Sequence, residues 1–225
     1  MIHASAVQVL GPFPAFPQEV VRAEVSQPRV PIAEARRGGP IHRAFIDHLP
    51  AVWRDDPTVE IFSRALWLKT GWYPLTPHYH FDWGGGGADG ARVETIMVSL
   101  GDASLTEFII GPLDHPEAAP AEGFPRAGKQ GWDGQVEAGL RAGRLRTWRL
   151  EAEQVVLFDH RALHRARPAT KTGWRLLVRA IRGLAGGDGG ERGGGNGKRS
   201  AYTTTRNLFI PETPEERERY QAYRE

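Results

Sequence analysis

The 225-residue chain contains no cysteine. A disulfide framework, a thiolate metal site and a cysteine nucleophile are thereby excluded, and any metal must be held by histidine, aspartate or glutamate. Long apolar runs are missing too: none approaches the roughly 20 residues that a membrane-spanning helix requires. The opening Met1-Ile2-His3-Ala4-Ser5 lacks the basic-then-apolar pattern of a secretory leader, so the expectation is a cytoplasmic protein. An excess of one charge sign is absent as well. A formal net charge of +2 gives no reason to expect nucleic acid as a partner. No heptad pattern marks a partner helix, and the oligomeric state stays open. What the chain does have is an ordinary apolar share of 40% and seven tryptophans, enough for one substantial core.

Residues 1–39 carry prolines at 12, 14, 17, 28 and 31 before the Gly38-Gly39-Pro40 break. Such spacing prevents long regular elements and leaves short edge strands or an extended wrap. Ile41, Phe45, Ile46, Leu49, Val52 and Trp53 then fall at helical spacing and predict one amphipathic helix over 41–53. His42 and His48 lie on it six residues apart and read as surface histidines.

From there the pattern turns to β. Strand-like runs occupy 59–70, the neighbourhood of 80–82, 93–100, 105–110, 144–150, 154–158, 162–166 and 174–181, with Gly101-Asp102 as a turn signal. Four prolines within 111–130 predict a long loop, and 130–142 a short helix. Nine glycines within 183–197 predict a flexible excursion, either a linker or a lid. A last edge strand over 202–210 and a short helix from Pro211 are expected after it.

About eight short strands and few helices indicate an all-β sandwich or barrel. The specific form expected is a double-stranded β-helix (jelly roll) with a peripheral N-terminal helix. The chain reads as a single domain, 1–225: an N-terminal extension with one helix (1–58), the core (59–182), the glycine-rich loop (183–200), and a C-terminal strand and helix (201–225).

The stretch that organises this chain is Pro77-His78-Tyr79-His80-Phe81-Asp82-Trp83. In a strand, residues i and i+2 share a face, so His80 and Asp82 can reach one metal ion from one side. Two imidazoles and a carboxylate form the facial triad that suits non-haem Fe(II) and leaves positions open for substrates. Val155-Val156-Leu157-Phe158-Asp159-His160-Arg161-Ala162-Leu163-His164 offers two histidines as the missing ligand. Arg175 stands eleven residues beyond His164, after the turn Lys171-Thr172-Gly173. A fixed guanidinium beside a metal is suited to gripping a carboxylate in bidentate fashion.

This combination resembles the Fe(II)/2-oxoglutarate-dependent dioxygenase superfamily over roughly residues 60–182. The segment Leu157–His164 is similar to the one preceding the distal histidine in taurine-dioxygenase-like members, with His160 where those carry asparagine; this selects His164 as the ligand. The spacing from His164 to Arg175 is similar to that group and to phytanoyl-CoA-hydroxylase-like members. The resemblance implies a jelly-roll core, Fe(II) held by His80, Asp82 and His164, and 2-oxoglutarate and O2 as co-substrates. It implies that Arg175 binds the distal carboxylate of 2-oxoglutarate. Ser104-Leu105-Thr106-Glu107-Phe108-Ile109-Ile110-Gly111 resembles a further stretch of the phytanoyl-CoA-hydroxylase-like group, which implies a hydroxyl from Thr106 at the co-substrate. With Asp82 present, hydroxylation is implied rather than halogenation, with release of succinate and CO2.

Two rivals remain. His78, His80 and Asp82 alternate, and a metal-dependent cupin enzyme would use His78 and His80 together. A non-catalytic jelly-roll binding module is the alternative of another class. Arg161, Arg165, Arg167, Lys171, Arg175, Arg179 and Arg182 have no acid among them from 160 to 187. The plain reading of this run is a solvated strand face; the functional one is attraction of an anionic small-molecule substrate. Trp72, Tyr73 and Trp83 flank the metal segment, and Trp72 or Tyr73 is the candidate to line a pocket.

Overall fold

The computed structural model describes residues 7–75, 77–82, 92–112 and 126–183, with side chains from 132 onward in the last segment. Alternating apolar residues build most of its strands. The elements run β1 (Gln8–Pro12), α1 (Gln18–Ala23), β2 (Val30–Pro31), α2 (Ile32–Ala35), α3 (Pro40–His48), α4 (Ala51–Arg54) and β3 (Glu60–Leu68). They continue through β4 (Glu94–Leu100), β5 (Thr106–Ile110), α5 (Arg126–Arg141), β6 (Arg146–Arg149), β7 (Gln154–Asp159), β8 (His164–Ala166) and β9 (Gly173–Arg182). Six strands form one antiparallel sheet in the order β1-β7-β4-β9-β3-β2, and three form a second, β6-β5-β8. The molecule is thus mostly β-sheet with few helices, as the strand spacing predicted. The strand and helix expected beyond residue 200 lie outside the described residues, as does nearly all of the glycine-rich stretch.

The two faces of the large sheet bury different partners. Ile61, Ile96, Val98, Leu176, Val178 and Ala180 pack against Val21, Ile41, Phe45, Ile46 and Trp53 of the helices. The opposite face presents Met97, Val156, Phe158 and Leu177 to Phe108 of the small sheet. Each such side chain, fully buried, is worth about 1.5–3 kcal/mol. β4 and β5 do not form a hairpin, since they belong to different sheets. The chain turns the corner at Gly101, whose φ is +76° and where a Cβ would lie 2.3 Å from the Trp174 carbonyl oxygen. Only glycine fits that approach.

The N-terminal region departs from expectation in two ways. The one helix expected over 41–53 is split, and α1 and α2 precede it. Pro50 has no N–H to donate and forces Leu49 into an extended conformation (φ −63°, ψ 144°), which ends α3. His42 is a correction as well. It is fully buried rather than on the surface, whereas His48 is exposed. His42 Nδ1 bonds Glu24 Oε1, and its Nε2 lies 2.7 Å from Ser63 Oγ. Glu24 also accepts the N–H groups of Ile41 and His42 at 3.2 and 2.8 Å, capping the first turn of α3. Burial opposes ionisation of Glu24, but these hydrogen bonds outweigh it and hold the carboxyl below its usual range.

Glutamate, histidine and serine here have the order of a hydrolytic triad. Ser63, however, is buried and its hydroxyl accepts the Gln27 N–H at 2.9 Å. The trio ties α1 and α3 to β3. Replacing His42 by alanine leaves the buried Glu24 carboxylate with its two backbone N–H donors alone and is expected to cost about 1–3 kcal/mol in denaturant unfolding.

Candidate metal centre

β8 begins at His164, paired with Phe108 of β5. On its other side His164 exchanges backbone hydrogen bonds with His80, His80 N to His164 O at 2.9 Å and His164 N to His80 O at 3.1 Å. Directly opposed residues share a face. The two imidazoles therefore stand side by side, with ring centroids 4.7 Å apart. Asp82 lies beyond any regular strand, yet it returns to the same side. Its Oδ1 is 4.0 Å from His80 Nε2 and its Oδ2 is 3.5 Å from His164 Nε2. One ligand atom from each residue lies within 4.8 Å of the other two.

Hydrogen bonds fix both rings. His80 Nδ1 is 2.9 Å from the His78 carbonyl, and His164 Nδ1 is 2.8 Å from the Ala162 carbonyl. Each Nδ1–H donates, so each Nε2 carries the free lone pair and faces Asp82. His164 Nε2 is buried with no hydrogen-bond partner among the described residues. A buried, unbonded acceptor beside a carboxylate fits a metal ligand, and two imidazoles with one carboxylate fit Fe(II).

Arg179 Nη1 donates to Asp82 Oδ2 at 2.7 Å. Burial opposes the charge on Asp82, but Arg179, His164 and His80 prevail and hold it well below the ordinary carboxylate range. Burial lowers the pKa of His164, with Asp82 pulling the other way. A lowered pKa favours the neutral imidazole, the form that binds metals.

A cavity of about 140 Å³ opens beside the cluster. Thr106, Arg175 and Arg179 line it together with His80 and His164, and Phe62, Leu177, Pro74 and Leu75 supply its apolar wall. The fold thus brings Thr106 and Arg175 to one space with the histidines. Thr106 stands opposite Ala166, on the face that carries His164. Arg175 Nε donates to the Ser104 carbonyl at 2.6 Å. Burial, then Arg179 and Arg64, push the Arg175 guanidinium down to about 9. Pro74 and Leu75 occupy the place expected of Trp72 or Tyr73, neither of which is among the described lining residues; Trp83 lies outside the described residues.

No family model matches the chain, and no curated protein matches it in sequence. Several solved structures resemble it. AviO1 from Streptomyces viridochromogenes Tue57 is 14% identical over 82% of this chain and 92% of its own, with a TM-score of 0.45. HygX from Streptomyces hygroscopicus, solved with iron bound, is 16% identical over 80% of this chain and 83% of its own, with a TM-score of 0.39. The Kdo hydroxylase KdoO, a non-haem Fe(II) α-ketoglutarate-dependent dioxygenase in complex with succinate and Fe(III), is 11% identical over 80% of each chain, with a TM-score of 0.38. At such identities the chemistry of this chain is read from its own residues.

His78 and His160 stand apart from the cluster. His78 Nδ1 is 2.6 Å from Asp133 Oδ2 of α5, and Asp133 Oδ1 accepts the Tyr79 N–H at 2.9 Å. The alternation that would place His78 beside His80 is broken, which removes the geometric basis of the cupin alternative. His160 Nδ1 accepts the Val93 N–H at 3.1 Å and so closes the start of β4.

The basic run is not a solvated face throughout. Arg165 and Arg167 both bond Glu107 of β5, through contacts of 2.6–2.9 Å. Arg179 takes Asp82, Arg182 takes Glu94 and Lys171 takes Asp102. The acids come from other strands and turns, which is why the run itself contains none. Glu107 also accepts the Tyr79 hydroxyl at 2.7 Å, and so anchors the segment that carries His80. Burial opposes its ionisation, but Arg165, Tyr79 and Arg167 hold its carboxyl down at about 2 against a usual 4.5.

A depressed carboxyl stabilises the fold above its unfolded pKa and loses that contribution as pH falls through the folded one. Glu107 is therefore expected to contribute roughly 3 kcal/mol at neutral pH, lost between about pH 4.5 and 2. In denaturant unfolding across that range, Glu107→Gln should be less stable than the parent at pH 7 and flatter in its acid limb.

No described helix is long and apolar enough to cross a membrane.

Proposed function

We propose that the protein is a non-haem Fe(II) and 2-oxoglutarate-dependent oxygenase that hydroxylates a small organic or carrier-bound substrate, on a double-stranded β-helix core. One observation carries this reading: a buried His80/Asp82/His164 cluster opens onto the cavity that also holds Arg175 and Thr106. His80 and His164 would hold the iron through Nε2, and Asp82 through its carboxylate. Iron held there would supply, together with 2-oxoglutarate and O2, the oxidising power for hydroxylation, with succinate and CO2 as by-products.

The chain's own residues do the rest. The carbonyls of His78 and Ala162 keep both Nδ1 atoms protonated and aim both Nε2 atoms at the metal. Arg179 holds Asp82 Oδ2 and so orients the carboxylate. Arg175 offers a guanidinium to the distal carboxylate of 2-oxoglutarate, with the Thr106 hydroxyl beside it. Phe62 and Leu177 add apolar wall to the same cavity, and a less polar surrounding strengthens charge–charge contacts within it.

The test is anaerobic visible spectroscopy of the metal-free protein titrated with Fe(II) and 2-oxoglutarate. A weak charge-transfer band that needs both additions is expected. Tight metal binding with no such band would move the assignment to another metal enzyme, and neither metal nor band would favour a binding module.

A further inference from the structure

Arg64 is the cation in this cavity that the proposed chemistry leaves unused. It lies in the middle of β3, paired in register with Leu177, between the positions of Arg175 and Arg179 on β9. Paired residues share a face, so all three guanidiniums leave the sheet on the side of the metal centre. Arg64 is 8% exposed and lines the cavity. Its Nε and Nη2 are buried with no hydrogen-bond partner among the described residues, and the same holds for Nε of Arg179. Burial lowers the pKa of Arg64. A buried cation without partners destabilises the empty protein, and an anion placed against it removes that penalty.

A charge count points the same way. Within the cavity lining and the metal cluster, Asp82 is the acid among the described residues, and Arg179 already holds it. A dicationic iron and the dianion of 2-oxoglutarate cancel each other. With Arg179 on Asp82, the charges of Arg64 and Arg175 then remain uncompensated, and of these two Arg64 is the one with two buried donors that bond nothing among the described residues.

We infer that Arg64 recognises an oxyanion, a carboxylate, sulfate or phosphate group, on the primary substrate, and that the substrate is therefore anionic. That it acts on a substrate rests on the oxygenase reading; that it is an anion site does not. The planar guanidinium presents two parallel N–H donors, the match for such a group. Nothing in the arrangement requires Arg64 for metal binding.

Sulfate is the probe, titrated calorimetrically at constant ionic strength into wild type, Arg64→Met and Arg64→Lys. Each is loaded with redox-inert Co(II) and 2-oxoglutarate, and each is titrated again without metal. Wild type should bind one sulfate. Arg64→Met should lose about tenfold or more in sulfate affinity, Arg64→Lys should keep most of it, and Co(II) and 2-oxoglutarate affinities should stay within about twofold. Arg64→Met should also unfold at a higher temperature than wild type in the absence of anions, because it replaces an unpaired buried charge by an apolar chain.

Equal sulfate affinity in wild type and Arg64→Met would mean an adventitious ion only and would overturn the proposal. So would a loss of 2-oxoglutarate affinity in Arg64→Met, which would assign Arg64 to the co-substrate. Failure of wild type to bind Co(II) and 2-oxoglutarate would instead defeat the oxygenase reading, and the metal-free titration would still decide Arg64.

Discussion

Alanine in place of His164 is expected to strip the centre of metal. Affinity for Fe(II), or for Co(II) as a stable substitute, should fall by more than about 100-fold, beyond the 10–100-fold typical of losing an outer hydrogen-bond partner. Succinate formation from 2-oxoglutarate should fall to background with it. His164 presents a buried Nε2 that bonds nothing else among the described residues, so no competing contact retains the ring for another purpose. Without it, Asp82 keeps Arg179 as its partner and His80 is left as a lone imidazole ligand. The control is His160→Ala. His160 holds the Val93 N–H, so its loss should cost about 1–2 kcal/mol in stability and leave metal affinity within a few-fold. Equilibrium dialysis with both variants decides the matter: metal lost from His160→Ala and kept by His164→Ala would mean that the wrong histidine has been assigned.

That choice between two histidines four residues apart shows what the sequence could and could not supply. The β pattern was legible because alternation follows from the strand period: 59–70, 93–100 and 174–181 became β3, β4 and β9 with boundaries displaced by at most two residues. His80 and Asp82 stood out by residue type and spacing, whereas the choice of His164 over His160 came from the resemblance to the dioxygenase superfamily. Hydrogen-bond partners were not legible. Nothing local in His42 shows that Glu24 and Ser63 will enclose it, and Glu107 meets Arg165 and Arg167 only through sheet pairing between β5 and β8. The same pairing explains the opposite fates of neighbours. Thr106, Phe108 and His164 share the inner face, while Glu107 and Arg165 share the outer one. Arg64 does carry a local signal. It stands between Phe62 and Leu66, with Leu68 beyond, among apolar alternate residues of the strand, and a charge in that position marks either an ion pair or a cavity.

Methionine in place of Arg175 is expected to weaken 2-oxoglutarate binding by about 100- to 1000-fold, the 3–4 kcal/mol typical of truncating one member of a buried charge pair. Fe(II) affinity should stay unchanged, since Arg175 bonds the Ser104 carbonyl and none of the three metal-cluster residues. At saturating 2-oxoglutarate the rate should recover most of its value, because a grip on the unreactive end contributes equally to ground and transition states. Arg175→Lys should recover only part of the affinity: a point charge lacks the planar fork and cannot keep the Ser104 contact in the same geometry. Thr106→Val, which removes one neutral hydroxyl, should cost no more than about tenfold. Stability sets this effect apart from misfolding. Burial, Arg179 and Arg64 all disfavour the charge on Arg175, so the methionine variant should unfold no earlier than the parent in the absence of ligand. Unaltered 2-oxoglutarate affinity in Arg175→Met would mean that a different guanidinium of the cavity holds the co-substrate, and the loss would then appear in Arg64→Met.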